Sequence, residues 1–223
     1  MRPVLAAALT LACAGCMREA STASAAAPPA GEAVVAPAPR DDAWRLPGPF
    51  APGITVDALR ARFGARHVRI AEVPLGEGDV ERGVVLFPDD PTRRATLYFH
   101  DPDALLGLAS VRVDDAGSRW RLEPGVAIGM SGHALVRLNG APLSYTGFDW
   151  DYGGRVIDWH GGALGAGPLR YHVTLSLDAG EPTVEVPSGD ATFRSDDGRY
   201  QPAFARARVS EIGVSWPAPG AAE

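Results

Sequence analysis

The sequence predicts an α+β protein made of two repeats, each a short helix followed by an antiparallel sheet. A shift of 76 residues superposes residues 53–65 on 129–141 and matches the two segments at six positions. Each segment is followed by short stretches in which apolar and polar residues alternate, which is typical of half-buried strands. At 46% hydrophobic and 22% charged residues, the chain can also bury a core.

Both repeated segments carry the signals of a helix about two turns long. Thr55 and Ser131 are natural N-caps, because a hydroxyl can accept a hydrogen bond from a free amide of the first turn. Gly64 and Gly140 come where a helix would end in a left-handed residue. Helices this short need a sheet to pack against, so we expect the strands to stabilise them.

Eight strands are predicted after these helices. Turn-forming segments such as Pro88-Asp89-Asp90-Pro91 separate them. The predicted ranges are 68–73, 83–87, 95–99 and 108–113 after the first helix, and 143–148, 155–159, 171–177 and 207–216 after the second.

The N-terminus resembles a bacterial secretion signal. Arg2 precedes an apolar run over residues 4–14, which is too short to cross a bilayer and ends in small residues. The segment Cys13-Ala14-Gly15-Cys16 resembles a lipobox, in which Cys16 would be lipidated, although Cys13 stands where Leu is usual. A cleaved secreted or periplasmic protein is the alternative. Met17, rather than Asp, favours the outer membrane by resemblance to a known sorting rule.

These features divide the chain into four parts. Residues 1–15 are predicted to be a signal peptide, and 16–41 a lipid-anchored linker rich in Ala and Pro. Residues 42–216 form the α+β domain, with subunits of about 42–120 and 121–216, and 217–223 form a flexible tail.

Charge and cysteine usage exclude several functions. The net charge of −6 and the lack of a basic block argue against nucleic-acid binding. Both cysteines lie within the first sixteen residues, which leaves no disulfide, zinc–cysteine site or cysteine nucleophile in the rest of the chain.

The repeated pattern Gly-x-Thr/Ser-x-x-x-Leu-x-x-x-x-Gly, followed by strands in an envelope protein, resembles the β-lactamase-inhibitor-like fold. It is also similar to the small outer-membrane assembly lipoproteins of the SmpA/BamE type. That resemblance implies a role in protein–protein contact and provides no catalytic residues.

Residues 147–154, Gly-Phe-Asp-Trp-Asp-Tyr-Gly-Gly, are the strongest local signal and are called the octet below. One hypothesis is a hairpin tip that binds a partner through Phe148, Trp150, Asp151 and Tyr152. Another is a Ca²⁺ loop, but the twelfth position counted from Asp149 is His160 rather than Glu. The structural alternative is a β-hairpin with its aromatic residues packed inside and its aspartates in solvent.

The histidines show no paired metal-binding spacing, and we expect no metal and no cofactor. A Ser131–His172–Asp158 triad can be assembled only on paper, because nothing in the sequence places these residues together. We therefore predict a non-catalytic envelope protein, anchored to the membrane by its lipid, with an interaction or assembly role toward an unknown envelope protein. The alternative is an envelope hydrolase that uses His and Asp residues in a cleft between the repeats.

Overall fold

The computed structural model describes residues 44–167, 169–177, 184–218 and 220. The predicted signal peptide, Cys16 and the linker to residue 41 lie outside this part, as does most of the predicted tail. Within it, mainly antiparallel sheet and a few short helices agree with the predicted α+β class.

Strands outnumber helices in the described chain, and a short 3₁₀ turn at Ala65–His67 follows the first helix. In chain order the elements are β1 (Arg45–Leu46), α1 (Val56–Phe63), β2 (Val68–Gly76), β3 (Asp79–Leu86), β4 (Ala95–Asp101), β5 (Leu106–Val113), β6 (Arg121–Leu122), α2 (Gly132–Asn139), β7 (Ser144–Thr146), β8 (Val156–Asp158), β9 (Arg170–Leu177), β10 (Thr192–Arg194), α3 (Gln201–Phe204) and β11 (Ala207–Ser215).

Helices α1 and α2 begin at the predicted caps. The hydroxyl of Thr55 accepts a hydrogen bond from the amide of Ala58, and that of Ser131 accepts one from Ala134, both at 3.2 Å. Gly140 ends α2 in the left-handed conformation, as predicted. Gly64 was expected to do the same for α1, but it combines φ 89° with an extended ψ of 134° because the chain turns there into the 3₁₀ segment.

A six-stranded antiparallel sheet is the main structural unit, with the strand order β2-β3-β4-β5-β11-β9. Strands β2–β5 follow α1 and are consecutive neighbours. The strands after α2 are divided, because β9 and β11 join this sheet whereas β7, β8 and β10 form a separate three-stranded one. The pair β1–β6 is parallel.

All eight predicted strands are present with somewhat different ends. Strands β2 and β3 extend beyond their predictions into a hairpin at Gly76–Asp79, whereas β7 and β8 are shorter than expected. Four elements are not predicted by the sequence pattern: β1, β6, β10 and α3.

The core lies on one face of the large sheet. Leu97, Val111, Ile212 and Val173, from four neighbouring strands, are fully buried, and Leu59 of α1 belongs to the same hydrophobic cluster. The residues that alternate with them along β4, β5, β11 and β9 are mostly polar and point to the opposite face. This polar face carries the candidate site.

Candidate functional site

The octet is the loop of the β7–β8 hairpin, and it is anchored at both ends. The ring of Phe148 is buried against that of Tyr145, with centroids 5.6 Å apart. At the other end, the amide of Leu175 in β9 donates to the carbonyl of Gly154 at 2.8 Å. The octet is therefore fixed to the edge of the large sheet rather than extended into solvent.

Hydrogen bonds inside the octet fix its middle. The indole Nε1 of Trp150 donates to Gly147 O at 3.0 Å, and the amide of Gly153 donates to Trp150 O at 2.9 Å. The hydroxyl of Thr146 donates to Tyr152 O at 2.7 Å. These contacts fix the indole ring of Trp150 and the backbone of the octet.

The four sequence-predicted binding residues lie in different environments. Phe148 is buried, with 4% of its surface exposed, and it holds the loop to the core. Trp150 and Tyr152 are 38% and 37% exposed and meet edge to face, with ring centroids 5.4 Å apart. Asp151 between them is exposed. Three of the four thus reach the surface.

Tyr152 crosses the polar face of the sheet. A Cβ placed on Gly76 of β2 would lie only 3.2 Å from the Tyr152 hydroxyl, so the two residues are in contact. Strands β2 and β9 are opposite edges of the sheet, which in a flat sheet would be ~24 Å apart at ~4.8 Å per strand. The short chain from Gly154 to Tyr152 cannot span that distance, so the sheet must curve toward the octet.

A cleft of about 300 Å³ lies between the curved sheet and the octet and is called the cleft below. Strands β2, β4, β5, β9 and β11 and the octet line it, together with Asp114 after β5 and Arg155 after the octet. The residues are Pro74, Leu75, Gly76, Thr96, Tyr98, Arg112, Asp114, Asp151, Tyr152, Gly153, Arg155, Thr174 and Glu211.

Strand register explains which polar residues meet on this face. Thr96 is opposite Arg112, Arg112 is opposite Gly213, and Gly213 is opposite His172, so these four form one row across β4, β5, β11 and β9. In the adjacent row, Glu211 is opposite Thr174. Gly213 lies between Arg112 and His172 in this row. A Cβ added there would lie 2.7 Å from the carbonyl oxygen of Val111, so the close pairing of β5 and β11 requires a glycine.

Two guanidinium groups face the cleft, and neither donates a hydrogen bond to another described residue. Arg112 stacks on the ring of Tyr98, 4.7 Å from its centroid, and Tyr98 in turn donates to Pro74 O at 2.8 Å. Among the described residues, the guanidinium groups of Arg112 and Arg155 make no hydrogen bond or ion pair. Their donors remain available to a bound anion.

Glu211 brings a carboxyl group to the same cleft. Burial raises the pKa of this carboxyl group above its ordinary value, while Arg112 and Arg155 act in the opposite direction. Burial also raises the pKa of Tyr98. The cleft therefore presents cationic and acidic groups side by side.

No family model, curated protein or solved structure matches the chain.

The histidines and aspartates considered for a hydrolase do not assemble in the cleft. Ser131 caps α2, whereas His172 Nε2 lies 2.7 Å from Ser215 Oγ. Asp158 is the last residue of β8 and accepts a hydrogen bond from the backbone amide of His160 at 2.7 Å. Ser131, His172 and Asp158 thus have separate partners and do not form a catalytic triad.

A different serine–histidine–aspartate group does occur on the small sheet. Ser144 Oγ lies 2.7 Å from His160 Nε2, and Asp158 Oδ2 lies 3.7 Å from His160 Nδ1. Arg194 Nη1 lies beside the same ring, 3.2 Å from Nε2. Ser144 is only 5% exposed, and this group does not line the cleft.

The sequence did not predict that Tyr98, Arg112, Arg155 and Glu211 belong to a site. A signal for some of them exists, because Ser110 and Arg112 alternate with the buried Val111 and Val113 along β5. That alternation identifies a polar face, but it does not show which strands lie next to each other.

The described residues also bear on metal binding and membrane spanning. Within the described ranges, no three His, Cys, Asp or Glu residues are grouped so that they could hold a metal ion. In the same ranges, no helix has the length and apolar character needed to cross a bilayer.

Proposed function

We propose that this protein is a non-catalytic interaction protein of the cell envelope, which binds a partner protein through the exposed part of the octet. The observation that carries the proposal is the pair of half-exposed rings, Trp150 and Tyr152, on a loop anchored at both ends. Trp and Tyr often dominate binding energy at protein interfaces, and prior fixing of the loop lowers the entropic cost of binding.

The surroundings of the two rings indicate the partner's chemistry. Asp149 and Asp151 are exposed on either side of Trp150, and Leu75 is exposed on the hairpin that Tyr152 contacts. An apolar centre with an acidic rim fits a partner that presents an apolar surface flanked by Lys or Arg.

Lipidation of Cys16 would hold the protein at the periplasmic face of the outer membrane, and residues 16–41 would separate the domain from the lipid surface. Growth with radioactive palmitate tests this part. We expect label on the wild-type chain and none on Cys16→Ala. An unlabelled wild type, or label that survives the substitution, contradicts lipidation at Cys16.

Site-specific photo-cross-linking in intact envelopes tests the binding surface. A photoreactive phenylalanine at position 150 should give a discrete cross-linked species with one partner, whereas the same probe at Ile157, an exposed residue of β8, should not. Asp151→Arg should reduce the cross-link from position 150, because it places a cation against the partner's basic rim. Identical products from positions 150 and 157, or no effect of Asp151→Arg, contradict the proposal.

Substitution of Trp150 by Ala separates binding from folding. We expect recovery of the partner in an affinity pull-down to fall, while circular dichroism and the melting temperature stay close to those of the wild type because the ring is 38% exposed. Loss of folding in Trp150→Ala would show that Trp150 stabilises the fold, and it would contradict the assignment of Trp150 to partner binding.

A hydrolase remains the second candidate, and the Ser144–His160 contact of 2.7 Å is the observation in its favour. The burial of Ser144 and the guanidinium of Arg194 beside His160 favour a structural role instead. A fluorophosphonate probe, which labels activated serines, distinguishes the two. Labelling of the wild type that is lost in Ser144→Ala would establish the enzyme, and no labelling would support the binding protein.

We further propose that the two halves are structural repeats, as the sequence pattern predicts. Both helices have eight residues, a hydroxyl N-cap and a glycine at the end. Superposition of an experimental structure on itself with the shift of 76 residues is the test. If the first helix and its following strand superpose on the second helix and its following strand, the halves are repeats. If only the two helices superpose, the repeat is limited to the helical segments.

A further inference from the structure

The cleft is a second feature of the polar face that the interaction with a protein partner does not explain. The partner would contact the outer side of the octet, whereas Arg112 and Glu211 lie on the sheet on the inner side of the cleft. The volume of about 300 Å³ is at the lower end of the range of small-molecule sites.

The arginines indicate an anionic group in the ligand. The guanidinium of Arg112 is held by stacking on Tyr98, and the backbone of Arg155 is fixed beside β9 by its pairing with Thr174. Their side chains have no hydrogen-bond acceptor among the described residues. A planar guanidinium group whose donors are not hydrogen-bonded matches a carboxylate, which accepts two parallel hydrogen bonds.

The carboxyl groups exclude a purely anionic ligand. Glu211 lies on the sheet side of the cleft, and Asp114 and Asp151 also line it. A simple anion would be repelled by these groups, and a simple cation by the two arginines. A ligand with both charges satisfies the two sets at once, and the rings of Tyr98 and Tyr152 offer it apolar surface.

We propose that the cleft binds a small zwitterion of the amino acid or dipeptide class, with its carboxylate on Arg112 and Arg155 and its ammonium group on Glu211. The octet covers the ligand, and Tyr152 closes the side toward β2. The ligand would bind to the isolated protein and does not require the proposed protein partner.

Three matched dipeptides test the proposal by titration calorimetry on the full chain in detergent. L-Alanyl-L-alanine carries both charges, its N-acetyl form lacks the ammonium group, and its C-terminal amide lacks the carboxylate. We expect the zwitterion to bind at one site and each blocked form to bind at least about tenfold more weakly, since each leaves a charge in the cleft unpaired.

Two substitutions assign each charge to its residue. In Arg112→Gln the preference for the free carboxylate over the amide should disappear while the preference for the free amine remains. In Glu211→Gln the preference for the free amine should disappear while the preference for the free carboxylate remains. A merely structural role for either residue would not change one preference and leave the other, and the melting temperature checks the folding of each variant.

Arg170→Gln is the matched control. Arg170 is on β9 and contributes to the positive potential at His172, but it does not line the cleft. It should leave all three affinities within about twofold of wild type. Absence of binding by L-alanyl-L-alanine at millimolar concentration, equal binding of the three dipeptides, or unchanged preferences in both variants overturns the proposal.

Discussion

His172 is a half-buried ionisable residue whose environment opposes protonation. Burial is the main cause, and the nearby guanidinium groups of Arg155, Arg112 and Arg170 add to it, so the pKa of His172 is lowered to about 4 from the ordinary 6.5. Between these two values the unfolded chain binds more protons at this residue than the folded protein does. The stability due to neutral His172 is therefore complete above pH 6.5 and is lost as the pH falls toward 4.

We expect His172→Gln to flatten the dependence of the unfolding free energy on pH between 6.5 and 4. The substitution should remove about 2 kcal/mol of the change in unfolding free energy across this pH range. This is less than the whole pKa shift of His172 implies, because the ring is partly exposed. Urea denaturation at several pH values measures it, and His100→Gln controls for the loss of an imidazole. Parallel pH profiles for wild type and His172→Gln would contradict the prediction.

Tyr145 is a fully buried residue whose hydroxyl has no hydrogen-bond partner in the described structure. Burial raises its pKa to about 12, and its ring packs against the ring of Phe204 at 5.4 Å between centroids. Tyr145→Phe keeps the ring contacts and removes an unpaired polar group. We expect the free energy of unfolding to rise by about 1 kcal/mol in chemical denaturation. A decrease would show that the hydroxyl is hydrogen-bonded in the folded protein.

Single residues also show the limit of sequence reasoning about the site. Trp150 and Tyr152 stand out because aromatic residues alternate with aspartates and glycines in one short segment. Arg112 and Glu211 are nearly one hundred residues apart in sequence and meet only because β5 pairs with β11. No local pattern contains that pairing, so the inner side of the cleft could not be predicted.

The octet and β9 form one structural element in which Gly154 has a specific part. Its φ is +73°, and a Cβ added there would lie 1.8 Å from the carbonyl oxygen of Leu175. The close approach of the two backbones therefore requires glycine.

We expect Gly154→Ala to lower the free energy of unfolding by about 2–4 kcal/mol and to displace the octet from β9. Denaturant unfolding measures the first effect, and hydrogen exchange of the Leu175 amide, which donates to Gly154 O, measures the second. Gly198→Ala, where an added Cβ meets no atom within 4 Å, is the control. Equal stability of the two variants would show that the octet is not held by this contact.

Elements with local signals were predicted better than elements that depend on distant partners. Helices α1 and α2 begin directly after Thr55 and Ser131, because a capping hydroxyl binds a backbone amide only three residues away. Strands β1 and β6 have two residues each and exist only because they pair with one another across the chain. Such short parallel pairs leave no periodicity to detect.

At the scale of the whole molecule, the large sheet should differ in stability from its centre to its edge. Strands β5 and β11 have neighbours on both sides and carry fully buried residues such as Val111 and Ile212. The hairpin between β2 and β3 exposes Leu75 and Val80.

Amide hydrogen exchange should therefore be slowest in β5 and β11 and much faster in residues 74–80. Mass spectrometry of peptic peptides, or NMR of single amides, measures the difference. Protection of residues 74–80 equal to that of β11 would mean that the hairpin opens only with the whole domain. The α+β class could be predicted at this scale, but the division of the later strands between two sheets could not.

The hydrogen bond between the Leu175 amide and Gly154 O also affects the tendency of the protein to aggregate at high concentration. An unpaired edge of a sheet can add a strand from another molecule, and this is a common route to aggregation. The octet occupies part of the β9 edge, while β2, the other edge, carries exposed charges at Arg69 and Glu72. The loop that carries Trp150 and Tyr152 thus also covers part of the sheet edge at which another molecule could add a strand.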